Sequence, residues 1–199
     1  MTVNLEFAKS PLGGAKHGGL DKAVLIQEVP FTPGFDLRVD PDSSGFAAVS
    51  QALGLNLNPK VGTVVRNNAA CIVGEELPAA GGISALCLGP DWWYLTGTAD
   101  IQAILKPVQE AHHISLVDVS SQRTKIEVYG PNAKDVLAHY WEQDLRDEHF
   151  PIDACSQGVL AKAPLIMWHC CENCYLLFPR ASFAKHLWTA LTDAAVEYL

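Results

Sequence analysis

The sequence predicts an α+β fold made of two small, strand-rich halves with packed helices. Segments in which apolar and polar residues alternate indicate strands with one buried face, and apolar residues at spacings of three and four indicate amphipathic helices. In each half the order is strand, helix, paired strands, helix, without the strict strand–helix alternation of a parallel sheet. We therefore predict an arm over residues 1–22 and two halves, 23–111 and 112–199, packed as one compact unit.

Composition and charge narrow the class of protein. The chain has 199 residues, of which 49% are hydrophobic and 18% charged, and this balance is typical of a globular protein with a real core. The net charge of −8 argues against a nucleic-acid binder, which needs a surplus of Lys and Arg. No apolar run approaches the roughly 20 residues of a membrane span, and we see no signal peptide. We therefore expect no membrane partner, a cytoplasmic location and reduced cysteines.

The predicted arm is rich in glycine and has little periodicity, so by itself it should be flexible. It could wrap a partner or be a frayed terminus. After it, an apolar run over residues 23–29 and an alternating run over 35–39 predict two strands. Ser43 or Ser44 is then expected to cap a helix that ends at Gly54.

The next part of the chain predicts loops and a hairpin. Residues 56–80 should be loops around one weak strand, 69–73. Strand-like segments at 83–88 and 92–95 flank a Gly-Pro-Asp turn, which indicates a hairpin. Its aromatic run Trp92-Trp93-Tyr94 is interpreted as core packing, with a platform for stacking a pterin or a base as the alternative.

A helix is predicted over residues 100–111, and Pro107 should kink or shorten it because proline removes a backbone donor. His112 and His113 follow it. Adjacent histidines can bind a metal, but these are not four residues apart on a helix and no suitably spaced carboxylate accompanies them. We interpret them as residues at a helix end, where the helix dipole favours positive charge.

The stretch Leu116–Leu137 carries the largest number of local signals. Residues 125–129 alternate and predict a strand that ends at Gly130, and Pro131 suits the first turn of the helix after it. Short polar side chains before a strand more often bond the backbone of their own turn than perform catalysis. We therefore predict a scaffold role for the polar residues at this position, which are Asp118, Ser120, Ser121 and Arg123.

The remaining sequence predicts a second hairpin and a final helix. An apolar run over residues 159–169, a turn at Glu172-Asn173 and a strand over 175–178 indicate the hairpin. Ser182 is expected to cap the helix, whose apolar residues recur at helical spacing: Phe183, Leu187, Trp188, Leu191 and Ala195.

The second hairpin contains possible ligands for a soft metal, with Cys171 and Cys174 in a CxxC pair beside His169 and Cys170. A closed zinc site needs four ligands, however, and the other cysteines form no second pair. A thioredoxin-like site would place CxxC at a helix N-terminus. We interpret these cysteines as incidental thiols at a turn and predict no metal site, with a small metal or thiol-redox protein as an alternative.

The pattern DVSxxRTxxxVxGPxAxxVL over residues 118–137 resembles a motif of the folate-dependent aminomethyltransferase superfamily, the glycine-cleavage T-protein group. With FTPGFDLRVD before it and LLFPRASFAKHLWTALTDAAVEYL after it, the chain from about Glu28 onward is most similar to the gamma-subunit family of heterotetrameric sarcosine oxidases. The resemblance implies a folate-binding, T-protein-like version of the predicted α+β fold.

The resemblance also implies partners and cofactors. Sarcosine oxidases of this kind oxidise sarcosine with oxygen to glycine and hydrogen peroxide and pass the one-carbon unit to tetrahydrofolate. The implied partners are alpha, beta and delta subunits, and the implied complex carries FAD, FMN, NAD and zinc. Flavin chemistry belongs to beta, the dinucleotide site and a folate domain to alpha, and the zinc to delta. The resemblance therefore predicts no cofactor bound by this chain.

Two features of the sequence agree with a non-catalytic role. No GxGxxG loop that could hold a dinucleotide pyrophosphate occurs. T-protein relatives also place an aspartate in the strand after the region equivalent to Cys155–Val159, whereas the run GVLAKAPLIMW has no carboxylate to act as a base. We predict no catalytic residue and assign no cofactor-binding residue. The expected function is a subunit that assembles or stabilises the flavin-bearing subunits, and the alternative is a free-standing folate-binding protein.

Overall fold

The computed structural model describes residues 9–31, 33–67 and 82–199. The strands in these ranges are β1 (Lys16–Gly18), β2 (Leu25–Val29), β3 (Gly34–Arg38), β4 (Val64–Arg66), β5 (Ile83–Gly89), β6 (Trp92–Gly97), β7 (Ser115–Asp118), β8 (Lys125–Tyr129), β9 (Cys155–Leu160), β10 (Ala163–Cys171) and β11 (Cys174–Pro179). The α-helices are α1 (Ser44–Leu53), α2 (Ile101–Ala111), α3 (Ala133–Ala138) and α4 (Ala184–Ala195), and 3₁₀ turns cover Ala181–Phe183 and Val196–Tyr198. None of these helices is both long and apolar enough to cross a membrane.

The described strands form two antiparallel sheets. The six-stranded sheet has the order β1-β2-β8-β11-β10-β9, and the five-stranded sheet has the order β4-β5-β6-β3-β7. Helices α3 and α4 cover the outer face of the six-stranded sheet, and α1 and α2 cover that of the five-stranded sheet. Two antiparallel sheets combined with segregated helices confirm the predicted α+β class.

A third apolar layer lies between the sheets. Leu86 and Tyr94 of the five-stranded sheet pack there against Ile166, Trp168 and Phe178 of the six-stranded sheet. Strand β11 is consequently buried along its whole length, because one face meets the helices and the other meets the second sheet. A strand buried on both faces has a continuous apolar sequence rather than an alternating one.

Each sheet takes one strand from the other predicted half. Strand β2, from residues 23–111, pairs with β8 in the six-stranded sheet. Strand β7, from residues 112–199, pairs with β3 in the five-stranded sheet. Part of the predicted arm, Lys16–Gly18, also belongs to the six-stranded sheet as its edge strand β1. The division into domains remains a prediction.

Several predicted elements are confirmed, together with the residues predicted to begin or end them. The side chain of Ser43 accepts a hydrogen bond from the Phe46 N–H at the start of α1, and Gly54 ends that helix with a φ of 63°. The β5–β6 hairpin and β8 occupy the predicted segments. Each of these signals acts on residues next to it in the chain, so the packing of the whole protein agrees with the element that the signal predicts.

Other element predictions need correction. The predicted strand over residues 69–73 lies outside the described residues, while β4 and β7 form where no strand was predicted. Pro107 does not shorten α2, which continues to Ala111. Proline has no backbone N–H, so the carbonyl of Ala103 loses its donor within the helix. Both Pro107 and Ala103 are on the exposed face of α2. Water can therefore replace the missing hydrogen bond.

The second hairpin and the last helix also differ in detail from the prediction. The apolar run 159–169 is not one strand, because a tight turn at Ala161 and Lys162, with φ of 47° and 67°, separates β9 from β10. The prediction that Ser182 caps α4 is wrong. The capping position is Phe183, without a side-chain bond, and Ser182 lies in the preceding 3₁₀ turn.

Candidate functional site

The polar residues before β8 lie at the end of β7 and in the segment 119–124, which crosses from the five-stranded to the six-stranded sheet. The carboxylate of Asp118 accepts a hydrogen bond from the Ser120 N–H at 2.9 Å, so it bonds its own turn as predicted. The hydroxyl of Ser120 instead accepts a bond from the Gly34 N–H of β3 at 3.1 Å. Ser121 is exposed. The motif therefore joins the two sheets as well as closing a turn.

Arg123 lies at the same crossing. Its guanidinium donates to the carbonyl of Phe178 at 2.9 Å. Burial lowers the pKa of Arg123, and the nearby Tyr94 opposes this effect. Burial also raises the pKa of Tyr94 well above its usual range, and the Tyr94 ring packs edge-on against Phe178 with centroids 5.5 Å apart. The guanidinium thus binds β11 at the residue against which the Tyr94 ring of the opposite sheet packs.

A buried carboxylate, Glu28, fixes the other end of this crossing. One of its oxygens accepts the hydroxyl of Thr124 at 2.7 Å and the N–H of Leu12 at 3.3 Å. The other accepts the N–H of Gly14 at 2.8 Å. These donors satisfy a charged group that is only 5% exposed, as a buried carboxylate requires. Glu28 therefore holds part of the predicted arm against the sheet.

The aromatic run of β6 is covered by other parts of the protein. Trp93 is fully buried; it donates its indole N–H to the carbonyl of Asn58 at 3.3 Å. Trp92 donates to the carboxylate of Asp36 at 3.1 Å, and the guanidinium of Arg38 lies 4.8 Å from its ring centroid. These contacts agree with core packing rather than with an open platform for a pterin or a base.

The structure brings together three of the four possible soft ligands in the second hairpin. The sulfur atoms of Cys170, Cys171 and Cys174 lie within 4.8 Å of one another. His169 does not join them, because its Nδ1 lies 2.8 Å from the carbonyl of Phe150 and its ring stacks on another side chain. Three adjacent sulfur atoms can bind a thiophilic metal.

Two further cysteines lie apart from this cluster in the protein interior. Burial raises the pKa of Cys155 to about 12 and also raises that of Cys87. A thiol that stays protonated at neutral pH is a poor nucleophile. Cys155 and Cys87 are therefore packing residues, and Cys71 lies outside the described residues.

The predicted helix-end histidines are found at the end of α2. The backbone N–H of His112 donates to the carbonyl of Val108 at 2.9 Å, and its Nδ1 lies 3.3 Å from the hydroxyl of Ser44. His113 is exposed. The contacts of His112 are those of a residue that ends a helix.

A cleft of about 660 Å³ opens beside the ends of β4 and β9, lined by residues 60–63, 143–144 and 149–156. On its rim, Arg146 holds the pKa of Asp144 down at about 2 through hydrogen bonds. Asp153 forms a salt bridge with Arg66 at 3.1 Å. Both carboxylates are thus paired with arginines, and for Asp144 the lowered pKa favours the ionised form over that of a general acid.

The run GVLAKAPLIMW lies on the β9–β10 hairpin. Lys162, its one titratable residue, is in the turn between the strands. The other side chains of the run are apolar or glycine, so this hairpin offers no carboxylate.

Residues 38–197 match the model of the sarcosine oxidase, gamma subunit family. The chain belongs to this family. Gamma-subunit relatives include the sarcosine oxidase subunit gamma of Corynebacterium sp. (strain U-96), which is 31% identical over 89% of this chain and 82% of that relative. The subunit from Corynebacterium sp. (strain P-1) is 29% identical over 92% of this chain and 85% of that relative.

Solved structures agree with the gamma-subunit family. One chain of the heterotetrameric sarcosine oxidase from Corynebacterium sp. U-96, in complex with pyrrole 2-carboxylate, matches with a TM-score of 0.79 and covers 95% of both chains at 31% identity. The aminomethyltransferase T of the glycine cleavage system from Bartonella henselae matches with a TM-score of 0.55 at 12% identity, over 82% of this chain and 44% of that one. The second likeness concerns the fold alone.

Sequence reasoning missed the buried contacts of Glu28 and Tyr94. A signal for Glu28 was present, since it is a charged residue inside β2 (Leu25–Val29), a strand predicted from a largely apolar run. A carboxylate in such a strand requires buried donors. No comparable signal existed for Tyr94, whose ring partner Phe178 comes from the other sheet.

Proposed function

We propose that this chain is a structural, non-catalytic gamma subunit that holds the flavin-bearing subunits of a heterotetrameric sarcosine oxidase in register. Its proposed partners are alpha, beta and delta subunits. The observation that carries this proposal is the match over 95% of both chains with a component of a heterotetrameric sarcosine oxidase. A match of that length supports a shared place in an assembly rather than a shared local motif.

The contacts of the motif residues support the structural role. Asp118, Ser120 and Arg123 form hydrogen bonds to backbone groups of this chain. Glu28 likewise accepts bonds from the chain's own hydroxyl and N–H donors. Groups that are engaged in this way brace the sheet crossing, so we assign them to the scaffold and not to substrate.

The reaction of the proposed complex follows from the family resemblance. Sarcosine, oxygen and tetrahydrofolate would give glycine, hydrogen peroxide and methylene-tetrahydrofolate. FAD, FMN, NAD and zinc would be held by the other subunits. The T-protein-like, folate-binding character of the fold and the cytoplasmic location belong to the same proposal.

The test is to co-express the tagged chain with the alpha, beta and delta subunits, purify through the tag, and measure flavin absorbance and peroxide release from sarcosine. We expect flavin and activity to co-purify. The matched control is the tagged chain expressed alone, which should carry neither. Tight binding of tetrahydrofolate by the chain alone, with no subunits retained, would contradict the proposal and favour the folate-binding alternative.

A second preparation separates assembly from catalysis. The alpha, beta and delta subunits are co-expressed without this chain, and a tag on alpha is used for purification. We expect a lower yield of the associated flavin-bearing subunits, measured as the beta-to-alpha ratio. An unchanged ratio and unchanged activity per flavin would show that this chain does not hold the subunits together.

A further inference from the structure

The cysteine cluster depends on an irregularity in the β10–β11 pairing. The register shifts between His169 and Cys171, so the ladder contains a bulge at Cys170. In a regular strand, adjacent side chains point to opposite faces. A bulge changes the direction of one of them, and here the sulfur atoms of Cys170, Cys171 and Cys174 all lie within 4.8 Å of one another.

The spacing of the sulfur atoms suits ligands of one metal ion. With zinc–sulfur bonds of about 2.3 Å and tetrahedral angles, two ligand sulfurs lie about 3.8 Å apart. The upper limit of 4.8 Å in the cluster exceeds this value by an amount that small side-chain rotations can close. Cys171 and Cys174 flank a two-residue turn, which holds their backbones at a fixed separation.

A buried carboxylate lies next to one member of the cluster, Cys174. The thiol of Cys174 donates to Oε1 of Glu127 at 3.6 Å. Glu127 is 4% exposed, and its other oxygen accepts a hydrogen bond from the side-chain amide of Gln27. For a sulfur and an oxygen bound to the same zinc ion, the separation expected from ordinary bond lengths is about 3.6 Å. Gln27 has the position of an outer residue that orients a ligand.

The three cysteines of the cluster differ in how far they are buried. Cys174 is 0% exposed and Cys170 is 1% exposed, while Cys171 is half-buried. Cys171 therefore provides the approach from solvent. An interior position protects bound metal from competing ligands, and sulfur ligands select soft or borderline ions over magnesium and calcium.

We propose that Cys170, Cys171 and Cys174 bind one thiophilic divalent ion, of which zinc is the type, with Glu127 as the fourth ligand. On binding, the thiols release their protons to solvent and coordinate as thiolates. This site belongs to the gamma-type chain itself and is separate from any metal held by another subunit. It also differs from the sequence-based interpretation, in which these cysteines were incidental.

The experiment uses the full-length chain, prepared reduced and free of metal, with its fold checked by circular dichroism. Cobalt(II) is titrated in as the spectroscopic probe, and zinc is then added to displace it. We expect one equivalent of cobalt to produce a near-ultraviolet sulfur-to-cobalt charge-transfer band that zinc abolishes. Zinc should also raise the thermal midpoint, because an ion that binds only the folded state stabilises it.

Three variants make the test specific. Cys171→Ser should weaken zinc binding by at least about tenfold, since even residues beyond the ligands contribute 10–100-fold in such sites. Cys87→Ser is the matched control and should bind as the parent does, because Cys87 lies in the other sheet and the new hydroxyl can still donate to Gly89. Glu127→Gln should weaken binding while retaining the charge-transfer band.

Specific results would contradict the proposed metal site. Absence of the charge-transfer band in the folded parent chain would overturn the site, as would equal zinc affinity in Cys171→Ser and Cys87→Ser. An unchanged thermal midpoint with zinc would mean that the ion does not prefer the folded state. Unchanged affinity in Glu127→Gln would overturn the assignment of the fourth ligand.

Discussion

Thr124 donates its hydroxyl to Glu28 across 2.7 Å, and both side chains are buried. The bond joins the start of β8 to β2, and Glu28 in turn accepts the N–H groups of Leu12 and Gly14. A single carboxylate therefore connects the sheet crossing to the segment before β1. The motif over residues 118–137 stabilises the fold through such long-range hydrogen bonds.

Replacing Glu28 tests this connection. In Glu28→Gln one carboxylate oxygen becomes an NH₂ group, and both oxygens face donors, so at least one buried donor loses its partner. We expect a loss of about 1–3 kcal/mol in the free energy of unfolding, measured by urea denaturation. The control Glu142→Gln, at an exposed position, should change stability by less than about 0.5 kcal/mol. Equal effects would contradict the structural role of Glu28.

Gly34 and Tyr94 should be energetically coupled. A Cβ at Gly34 would lie 2.3 Å from the Tyr94 hydroxyl and 2.8 Å from Cζ, so Gly34→Ala must displace a buried ring. We expect a destabilisation of about 1–3 kcal/mol. Tyr94→Phe removes the nearest atom, so the double variant should lose less stability than the two single losses added together. Strict additivity in urea denaturation would mean that the ring does not block this position.

Cys155 should make stability fall in alkaline solution. Burial raises its pKa from 9.0 to about 12, so above pH 9 the unfolded chain releases a proton that the folded chain keeps. The unfolded state then binds fewer protons, and stability decreases as pH rises, with a slope from this group of at most about 1.4 kcal/mol per pH unit. Urea denaturation at pH 8, 9 and 10 measures the slope.

The variant Cys155→Ala should flatten this alkaline slope. Leu160→Val is its control in the same strand, because Leu160 is fully buried and the change removes apolar contacts without removing a titratable group. It should lower stability equally at each pH. A slope that Cys155→Ala leaves unchanged would assign the alkaline loss to other groups.

The turn between β9 and β10 offers a stabilising substitution. Lys162 has a φ of 67°, a conformation that costs a residue with a Cβ about 1–2 kcal/mol, while glycine adopts it freely at an entropic cost of about 0.5–1 kcal/mol. Lys162→Gly should therefore raise the free energy of unfolding by about 0.5–1 kcal/mol. The same substitution in helix α4, Lys185→Gly, should lower it by about 1 kcal/mol. A loss of stability in both variants would contradict the role of the backbone conformation.

The sequence predicted those helices and strands whose signals lie in neighbouring residues, and it missed those that depend on distant strands. Helix α1 followed from Ser43 and Gly54, which act on their nearest neighbours. Strand β7 was missed because it is largely exposed and has no alternating pattern. The turn at Ala161 and Lys162 was missed because neither residue favours a positive φ, so the pairing of β9 with β10 imposes it.

In the candidate sites, too, the sequence showed the residues but not their distant partners. The cysteines around the CxxC pair were visible in the sequence, but the bulge that gathers their sulfur atoms arises from the pairing of β10 with β11. Likewise Arg123 stood out in its motif, whereas its carbonyl partner on Phe178 is 55 residues away. Partners of this kind come from other strands, and no local pattern specifies them.

The sequence by itself determined the α+β class, most elements and the resemblance to the gamma-subunit family, because short-range periodicity, capping residues and motif order are properties of the linear chain. Only the tertiary structure decided which strands complete each sheet and which donors satisfy Glu28. It also decided that three sulfur atoms lie together and that the Glu127 carboxylate contacts one of them, the sulfur of Cys174. Those outcomes depend on strand pairing and burial between distant segments, and such contacts form only when the two sheets pack.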